Sequence, residues 1–350
     1  MAHLKDLAIP KGSTVLVTGA NGFLGSHTVD QFLHHGYRVR GTVRDPVRDA
    51  WLTTLFDGKY GKERFELVKV SDMAVDGAFD EVAKGVSAIA HTATVVIFDP
   101  NPHNVVPATI SGAVNALKAA YAEPSVRRFV LTSSATAALF PSPDQPGEIV
   151  TEESWNENAV KQAWAEPPYT PERSLAVYAA SKTQAEQEVW KFHRENQHKR
   201  PDLAVNTILP NMIFGKSLDV KNQGYPSSAG YLAALWKGEV SIIHHLIAPQ
   251  YFVDVQDCAR LHVAGVILPD VRGERIFGFA GRFSWDAVLE ILRKHEPEKD
   301  FPDDFSGRED YTDIKPRTRA EEILRNLGQR GWTELEDTVL MNTEGLRATA

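Results

Sequence analysis

The stretch TVLVTGANGFLGSHTVDQFL, residues 14–33, decides the fold class of this chain. A β-branched run leads into Gly19, Gly22 and Gly25, and a helical pattern follows. The first glycine permits a tight turn, the second lets the backbone approach a pyrophosphate, and the third lets helix and strand pack closely. Because strand, glycine turn and helix occur together, the stretch predicts a dinucleotide site in a first βαβ unit.

The helix after the glycines supplies the expected phosphate contacts. Its first N–H groups have no acceptor within the helix and carry partial positive charge. We therefore expect the N–H groups of Asn21, Phe23 and Leu24 to face the phosphates. The alternative is a tight turn without a ligand, but three glycines within seven positions are conformationally costly without a use.

Outward from this unit, short β-rich runs alternate with helical patterns through the first two thirds of the chain. The alternation predicts an α/β fold, a Rossmann-type doubly wound parallel sheet with helices on both faces. Strands are predicted at 14–18, 38–43, 65–70, 88–93, 128–133 and 204–209, and helices at 24–35, 77–84, 104–122 and 177–196.

The pattern changes after Pro210, where loops lengthen. Residues 1–210 are predicted to form the nucleotide-binding domain that carries the catalytic residues. Residues 211–350 are predicted to be mostly a smaller C-terminal substrate-binding lobe, from which some segments return to the sheet. The long proline-bearing loops 139–148 and 165–174 are typical of binding loops.

Composition narrows the class of protein. A net charge of −8 and the lack of a basic block argue against nucleic-acid binding. No apolar run reaches the length of a membrane span, and the first residues lack the apolar region of a secretory signal. Cys258 is the only cysteine, which excludes an intrachain disulfide and a cysteine-rich metal site. We expect a cytoplasmic protein with no metal, no membrane partner and no nucleic acid, either monomeric or homodimeric.

The end of the second predicted strand indicates which dinucleotide binds. An NAD site usually offers a carboxylate about 20 residues after the glycines, for the ribose 2′-OH. Here Arg40 and Arg44 occupy that place, Arg48 follows, and no carboxylate precedes Asp45. Because the arginine guanidinium makes planar, bidentate contacts to phosphate, the pattern predicts a site for the ribose 2′-phosphate and hence for NADPH/NADP⁺. In the alternative interpretation, these arginines are simply solvated basic residues at a strand end.

Other strand ends supply further candidate cofactor contacts. Asp72 and Met73 follow the third strand, where a carboxylate could bind the adenine amino group. Thr92 and Ala93 end the fourth strand, where small residues let the backbone pass close to the cofactor. Thr132 ends the fifth strand, and ligands of open α/β sheets bind at such carboxyl ends.

Tyr178 and Lys182 are four residues apart in a helical pattern, which places both side chains on one face. A second pair with this spacing, Tyr311 and Lys315, lies in an acidic segment where Pro316 disfavours helical geometry. A neighbouring ammonium and an oxidised nicotinamide would favour the phenolate and lower the pKa of Tyr178. Tyr178 is thus predicted to be the general acid of carbonyl reduction and the base of the reverse reaction.

A serine at the end of the fifth strand would orient the carbonyl oxygen of the substrate. Ser134 is the first candidate and Ser133 the competing one. Lys182 would also bind the ribose hydroxyls of the cofactor.

With the motifs TGANGFLGSH, DM, HTA, LTSS, YAASK and YFVDVQDCARLH, the chain resembles the extended short-chain dehydrogenase/reductase family across nearly its full length. It most resembles the fungal NADPH-dependent aldehyde and ketone reductases, such as yeast methylglyoxal reductase, and more distantly plant dihydroflavonol 4-reductase. The resemblance implies that Ser134, Tyr178 and Lys182 are catalytic. It also implies a relay or structural role for Asn115 and cofactor contacts for Pro210, Ile213 and Ser228.

The predicted activity is NADPH-dependent reduction of an aldehyde or ketone to a chiral alcohol. Two alternatives remain open, a nucleotide-sugar epimerase or dehydratase and an NADP-sensing regulator without turnover. The predicted small-molecule pocket is apolar and aromatic, which suits a bulky carbonyl compound. The candidate residues of this pocket are Phe98, Ala135, Leu139, Phe140, Met212 and Trp236. In the alternative interpretation, each of them packs in the core or in a loop.

Overall fold

The computed structural model describes residues 6–141 and 147–347. Residues 142–146, within the predicted binding loop 139–148, lie outside the described residues. The strands, in chain order, are β1 (Thr14–Thr18), β2 (Arg38–Val43), β3 (Phe65–Lys69), β4 (Ala88–His91), β5 (Arg128–Thr132), β6 (Ile149–Val150), β7 (Ala204–Pro210), β8 (Met212–Phe214), β9 (Gln250–Asp254), β10 (Arg275–Gly278), β11 (Gly281–Phe283) and β12 (Asp313–Ile314).

The helices alternate with the strands in the first two thirds of the chain and cluster in the last third. They are α1 (Phe23–His34), α2 (Trp51–Tyr60), α3 (Asp80–Ala83), α4 (Pro102–Ala122), α5 (Glu157–Ala163), α6 (Ser174–Asn196), α7 (Val220–Gln223), α8 (Ala229–Trp236), α9 (Ile242–Leu246), α10 (Val255–Ile267), α11 (Trp285–His295), α12 (Arg317–Asn326) and α13 (Leu335–Arg347).

The main sheet has seven parallel strands in the order β10-β7-β5-β4-β1-β2-β3. The chain leaves β1 toward β2 and β3, then returns to build the other half of the sheet from β4. The order therefore reverses between β1 and β4, and ligands bind at the carboxyl ends of strands at such a switch point. The prediction of a doubly wound parallel sheet is confirmed.

Alternate residues of β1 reach opposite faces of the sheet. Val15 and Val17 pack in one buried cluster with residues of α1 and α10. Leu16 packs in another with residues of α4 and α6. Because both faces of a central parallel strand are covered, β1 is apolar at each of these positions, and its glycine turn is held at a fixed place in the crevice.

Some helices have no clear sequence signal. The pattern does not predict α2, which contains Thr53, Thr54 and Gly58, residues of low helix propensity. Burial of Leu52 and Phe56 stabilises it. Tertiary packing thus overrides propensity here.

The last third of the chain divides between the sheet and a second cluster. Helix α10 packs against α1 and the sheet, and β10 forms an edge of the main sheet. Helix α12 packs in the same cluster as α10. Helices α8, α11 and α13 and the small sheet β11-β9-β8 form a second, aromatic cluster around Phe214, Phe252 and Trp285. The division at residue 210 into two functional domains stays a prediction.

Across residues 6–141 and 147–347, no helix combines the length and the apolar character that crossing a membrane requires.

Candidate active site

The glycine turn lies where β1 ends, in the crevice at the switch point. Gly19 has φ of +67°, a conformation that side chains with a Cβ rarely adopt. A Cβ on Gly25 would lie 2.1 Å from the Gly19 carbonyl oxygen, so only glycine lets α1 start this close to the strand. Gly22 is exposed and is the N-cap of α1, which leaves its outer side open for a phosphate.

The end of β4 lies directly against this turn. The Thr18 hydroxyl is 2.9 Å from His91 Nδ1 and accepts a hydrogen bond of 3.0 Å from the Ala93 N–H. The Thr92 hydroxyl donates to the Thr18 carbonyl oxygen. A Cβ on Gly19 would lie 3.0 Å from Ala93 Cα. The structure therefore brings Thr92 and Ala93 to the glycine turn.

Two side chains from distant segments fix the glycine turn. The Asn21 amide donates to Asp49 at 2.9 Å, and Asp49 also forms an ion pair with Arg48. From α7, the Gln223 amide donates to the Asn21 carbonyl oxygen at 3.3 Å and to the Ser26 hydroxyl at 3.0 Å. The turn is thus held from the β2–α2 connection on one side and from α7 on the other.

The three predicted arginines differ in what they contact. Arg40 forms an ion pair with Glu66 and donates to the carbonyl oxygens of Val82 at 2.8 Å and Lys84 at 2.9 Å. Arg44 is exposed directly after β2, and no ion pair or side-chain hydrogen bond occupies it within the described part of the chain. The geometry therefore favours Arg44 over Arg40 as a group open to a 2′-phosphate.

Asn115 hydrogen-bonds with the segment that follows β3. Its amide donates to the carbonyl oxygens of Met73 at 3.2 Å and Val75 at 2.8 Å. Asp72, exposed beside them, accepts from the Ala74 N–H. Of the two roles that the family resemblance implies for Asn115, this contact favours the structural one, in which it holds the segment after β3.

Tyr178 and Lys182 both lie on α6, which places them one turn apart. The Tyr178 phenol lies near the Ser134 hydroxyl at the end of β5 and near the Tyr231 phenol of α8. The Phe98 ring lies 5.5 Å from the Tyr178 ring, centroid to centroid, at an interplanar angle of 37°. The half-buried phenol is thus placed between a hydroxyl and an aromatic ring at the carboxyl ends of the strands.

Lys182 is only 4% exposed. Its Nζ donates to the Thr132 carbonyl oxygen at 2.9 Å and lies 3.4 Å from the Thr94 hydroxyl. Burial lowers the pKa of the Lys182 ammonium to about 8, against the opposing charge of Glu186. Burial also lowers the pKa of His91 to about 3, and the Lys182 charge adds to this. His91 is therefore neutral beside the ammonium at physiological pH.

The pKa of Tyr178 differs from the expectation. The sequence predicts a pKa lowered by Lys182 and by an oxidised nicotinamide. In the chain alone, burial raises the pKa of the phenol, the Ser134 hydroxyl opposes this, and Tyr231 raises it further. The Lys182 ammonium faces the Thr132 carbonyl oxygen, so the Ser134 hydroxyl is the nearby group that favours the phenolate.

The two adjacent serines have different partners. The Ser133 hydroxyl donates to Glu186 Oε2 at 2.6 Å inside the protein. The Ser134 oxygen accepts from the Thr136 hydroxyl at 2.9 Å, and the Ser134 hydroxyl lies near the Tyr178 phenol. The geometry therefore favours Ser134 over Ser133 as the group that meets a substrate.

The remaining predicted cofactor residues lie at the ends of β5 and β7 and in β8 and the start of α8. The Thr132 hydroxyl is 2.7 Å from His262 Nε2. Pro210 is buried at the end of β7. Ile213 is half-buried, and its carbonyl oxygen accepts from the Ser228 hydroxyl. The Ser228 hydroxyl is thus engaged within the protein.

Of the pocket candidates, Phe98 is the one in ring contact with Tyr178. Ala135 is buried with the apolar cluster below the end of β5. Trp236 is buried in the aromatic cluster of the last third of the chain, and Met212 packs against that cluster. The placement of Trp236 is that of a core residue. Leu139 is buried in the same cluster as Ala135, and Phe140 is half-buried.

The second tyrosine–lysine pair lacks the helical setting of Tyr178 and Lys182. Tyr311 and Lys315 lie on either side of the short strand β12, with Lys315 in a turn, and Lys315 forms an ion pair with Asp313. No group of three or more His, Cys, Asp or Glu side chains suited to a metal ion occurs among the residues that the structure describes.

The sequence interpretation missed three side chains that shape the site. Asp49 and Gln223 hold the glycine turn, and nothing in their local sequence indicates it. Glu186 is fully buried one turn after Lys182, and that spacing was a signal, since it puts both on one helix face.

Comparison with known proteins agrees with this geometry. Residues 15–274 match the family described as the NAD dependent epimerase/dehydratase family. The chain is 44% identical to aldehyde reductase 2 of Sporidiobolus salmonicolor over 339 residues, covering 97% of each chain. It is 40% identical to ketoreductase adrE of Penicillium rubens, covering 96% of this chain and 97% of the relative.

A solved structure with the same fold is that of Gre2 from Candida albicans in complex with NADPH. Its TM-score is 0.82 at 26% identity, covering 97% of this chain and 99% of that one. The chain belongs to the NAD dependent epimerase/dehydratase family, the extended short-chain dehydrogenases/reductases that its motifs resemble.

Proposed function

We propose that this chain is an NADPH-dependent carbonyl reductase that reduces an aldehyde or a ketone to the alcohol, with Tyr178 as proton donor. The observation that carries the proposal is the position of the Tyr178 phenol. It lies near the Ser134 hydroxyl and one turn before Lys182 on α6, at the strand ends beside the glycine turn. Relatives named aldehyde reductase and ketoreductase support the same reaction class.

The residues present fit an NADP cofactor. A Cβ on Gly25 would obstruct the glycine turn, and the exposed Gly22 leaves the N-terminus of α1 accessible to a phosphate. Arg44, free of other partners in the described residues, would meet the 2′-phosphate, and Arg48 lies beside it on Asp49. The Candida albicans neighbour, with NADPH bound, supports this assignment.

The reaction converts a carbonyl compound, NADPH and a proton into an alcohol and NADP⁺. The cofactor, when bound, supplies the hydride for the carbonyl carbon. Ser134 donates a hydrogen bond to the carbonyl oxygen and so stabilises the negative charge that develops there. Tyr178 transfers its proton to that oxygen, and the phenolate regains a proton from solvent. The Lys182 ammonium lies one turn away on α6 and would bind the ribose hydroxyls of the cofactor.

The substrate side of the site is apolar. Phe98 is 53% exposed although its ring faces Tyr178, and its neighbours Val96 and Ile97 are also exposed. An apolar, aromatic wall beside the proton donor favours a bulky uncharged carbonyl compound over a charged one. This is the substrate class that we propose.

A nucleotide-sugar epimerase would use the same tyrosine and lysine but would hold NAD. Arg44 directly after β2, with no carboxylate before Asp45 at that strand end, argues against it. A sensor that binds NADP without turnover would not need Ser134, Tyr178 and Lys182 together. The cytoplasmic location and the oligomeric state, monomer or homodimer, stay predictions.

An absorbance assay of NADPH consumption tests the proposal against a panel of aromatic aldehydes and α-keto esters. We expect turnover, with Tyr178→Phe lowering kcat by roughly 10²–10⁴-fold while NADPH binding, measured by calorimetry, is retained. Tyr311→Phe is the matched control and keeps full activity. Tight NADPH binding without turnover across the panel would favour the sensor, and conversion of a nucleotide sugar would favour the epimerase.

A further inference from the structure

Thr136 occupies both acceptor positions of the Ser134 hydroxyl. Ser134 is the N-cap of a short 3₁₀ helix, Ala135–Ala137. The Thr136 N–H donates to Ser134 Oγ at 3.2 Å, and the Thr136 hydroxyl donates to the same oxygen at 2.9 Å. A serine hydroxyl has two acceptor positions and one proton. With both acceptor positions filled, Ser134 is left to act only as a donor.

The hydroxyl proton of Ser134 is therefore available to the reacting groups. Ser134 is buried, and its hydroxyl lies near the Tyr178 phenol, where it favours the phenolate. We infer that Thr136 is a positioning residue, which fixes Ser134 as a hydrogen-bond donor toward Tyr178 and toward the carbonyl oxygen of the substrate. The inference rests on the proposed function, and it assigns to Thr136 a role that the serine, tyrosine and lysine do not provide.

A buried asparagine holds the Thr136 backbone in place. The Asn156 amide donates to the Thr136 carbonyl oxygen at 2.9 Å, and the Asn156 N–H donates to the Ala137 carbonyl oxygen at 2.9 Å. Its own side-chain oxygen caps α5 by accepting from Ala159 N–H at 3.1 Å. The 3₁₀ turn is therefore anchored to α5, so the Thr136 hydroxyl is presented to Ser134 by a rigid segment.

Loss of the Thr136 hydroxyl changes what Ser134 can do. An acceptor position of Ser134 becomes free, and its proton can turn away from the site or toward another acceptor. The Ser134 hydroxyl favours the Tyr178 phenolate, against the burial that raises the pKa of Tyr178. Without a fixed donor, the base form of Tyr178 therefore appears at higher pH, and the carbonyl oxygen loses an oriented donor in reduction.

Thr136→Val removes the hydroxyl at nearly constant shape, and Thr136→Ser restores it without the methyl group. In Thr136→Val, kcat for reduction is expected to fall by about tenfold with KM within about threefold. The pH profile of alcohol oxidation with NADP⁺ is expected to move upward by about one unit. Thr136→Ser is expected to keep the wild-type kcat and pH profile.

Thr343→Val is the matched control, because the Thr343 hydroxyl donates to the Val339 carbonyl oxygen within α13. It is expected to leave both profiles unchanged. An unmoved pH profile in Thr136→Val, or an equal loss in Thr136→Ser, would overturn the inference and assign Thr136 to packing alone. If the wild-type chain reduces no carbonyl compound, the proposed function fails instead, so the two failures are distinguishable.

Discussion

Ser133 donates a hydrogen bond of 2.6 Å to Glu186, and this contact separates its role from that of its neighbour Ser134. Glu186 is fully buried and also accepts from Thr207 at 2.7 Å and from Arg275 at 2.8 Å. It thereby joins α6 to β5, β7 and β10. The helix that carries Tyr178 and Lys182 is thus fixed by a carboxylate one turn beyond Lys182.

Substitution of each serine by alanine should separate catalysis from stability. Ser134→Ala is expected to lower kcat by roughly 10²–10³-fold, because the carbonyl oxygen loses its donor. Ser133→Ala is expected to lower the free energy of unfolding by about 1–3 kcal/mol, because Glu186 loses a buried donor. Steady-state kinetics and urea unfolding of both variants measure the two effects. A larger loss of kcat in Ser133→Ala would reverse the assignment of the serines.

Arg44→Ala should change cofactor selectivity. The lost contact to a 2′-phosphate is expected to raise KM for NADPH by about 10–100-fold, with KM for NADH unchanged. Arg38→Ala is the control of equal charge change, since Arg38 is exposed at the opposite end of β2. Arg40→Ala is expected to lower stability instead, because Arg40 holds Glu66, Val82 and Lys84. Equal effects of Arg38→Ala and Arg44→Ala would point to net charge alone.

Glu186→Gln should destabilise the protein strongly. The side chains of Glu186 and Arg275 are 0% and 8% exposed, so the substitution leaves a buried guanidinium without its counter-charge. The free energy of unfolding is expected to fall by roughly 3–5 kcal/mol. Glu188→Gln is the control on the same helix, because its ion pair with Lys191 is solvent-exposed and contributes less than about 1 kcal/mol. Similar urea midpoints for the two variants would contradict this.

Lys182→Met should abolish activity and raise stability at neutral pH. Burial lowers the pKa of Lys182 from 10.5 to about 8, so between these values the unfolded chain binds more protons than the folded protein. The contribution of Lys182 to stability therefore rises with pH across that window, and below it the cost of the buried ammonium is complete. That cost is roughly 3 kcal/mol at most.

The stability difference between Lys182→Met and wild type checks this, measured by urea unfolding at a series of pH values. We expect the variant to be more stable at pH 7 and its advantage to shrink between about pH 8 and 10.5. Other titrating groups are common to both proteins and cancel in the difference. A difference that does not change with pH would show that the Lys182 ammonium carries no such burial cost.

Local sequence patterns were sufficient to predict several features of this protein. The glycine turn after β1, the order of strands and helices, and the tyrosine–lysine spacing on α6 each depend on residues within a few positions of one another. Strand and helix periodicity, and the need for glycine at Gly19, act over that range. The sequence therefore determined the doubly wound sheet and the place of a dinucleotide crevice.

Tertiary structure alone decided the choices between similar residues. Arg40 and Arg44 look alike in sequence, but Glu66 and two carbonyl groups at the end of α3 contact Arg40, whereas Arg44 stays exposed. Ser133 and Ser134 are distinguished by Glu186, which accepts a hydrogen bond from Ser133 although the two lie 53 positions apart in the chain. A side chain's free hydrogen-bonding capacity depends on partners that are distant along the chain, and only the folded arrangement brings those partners together.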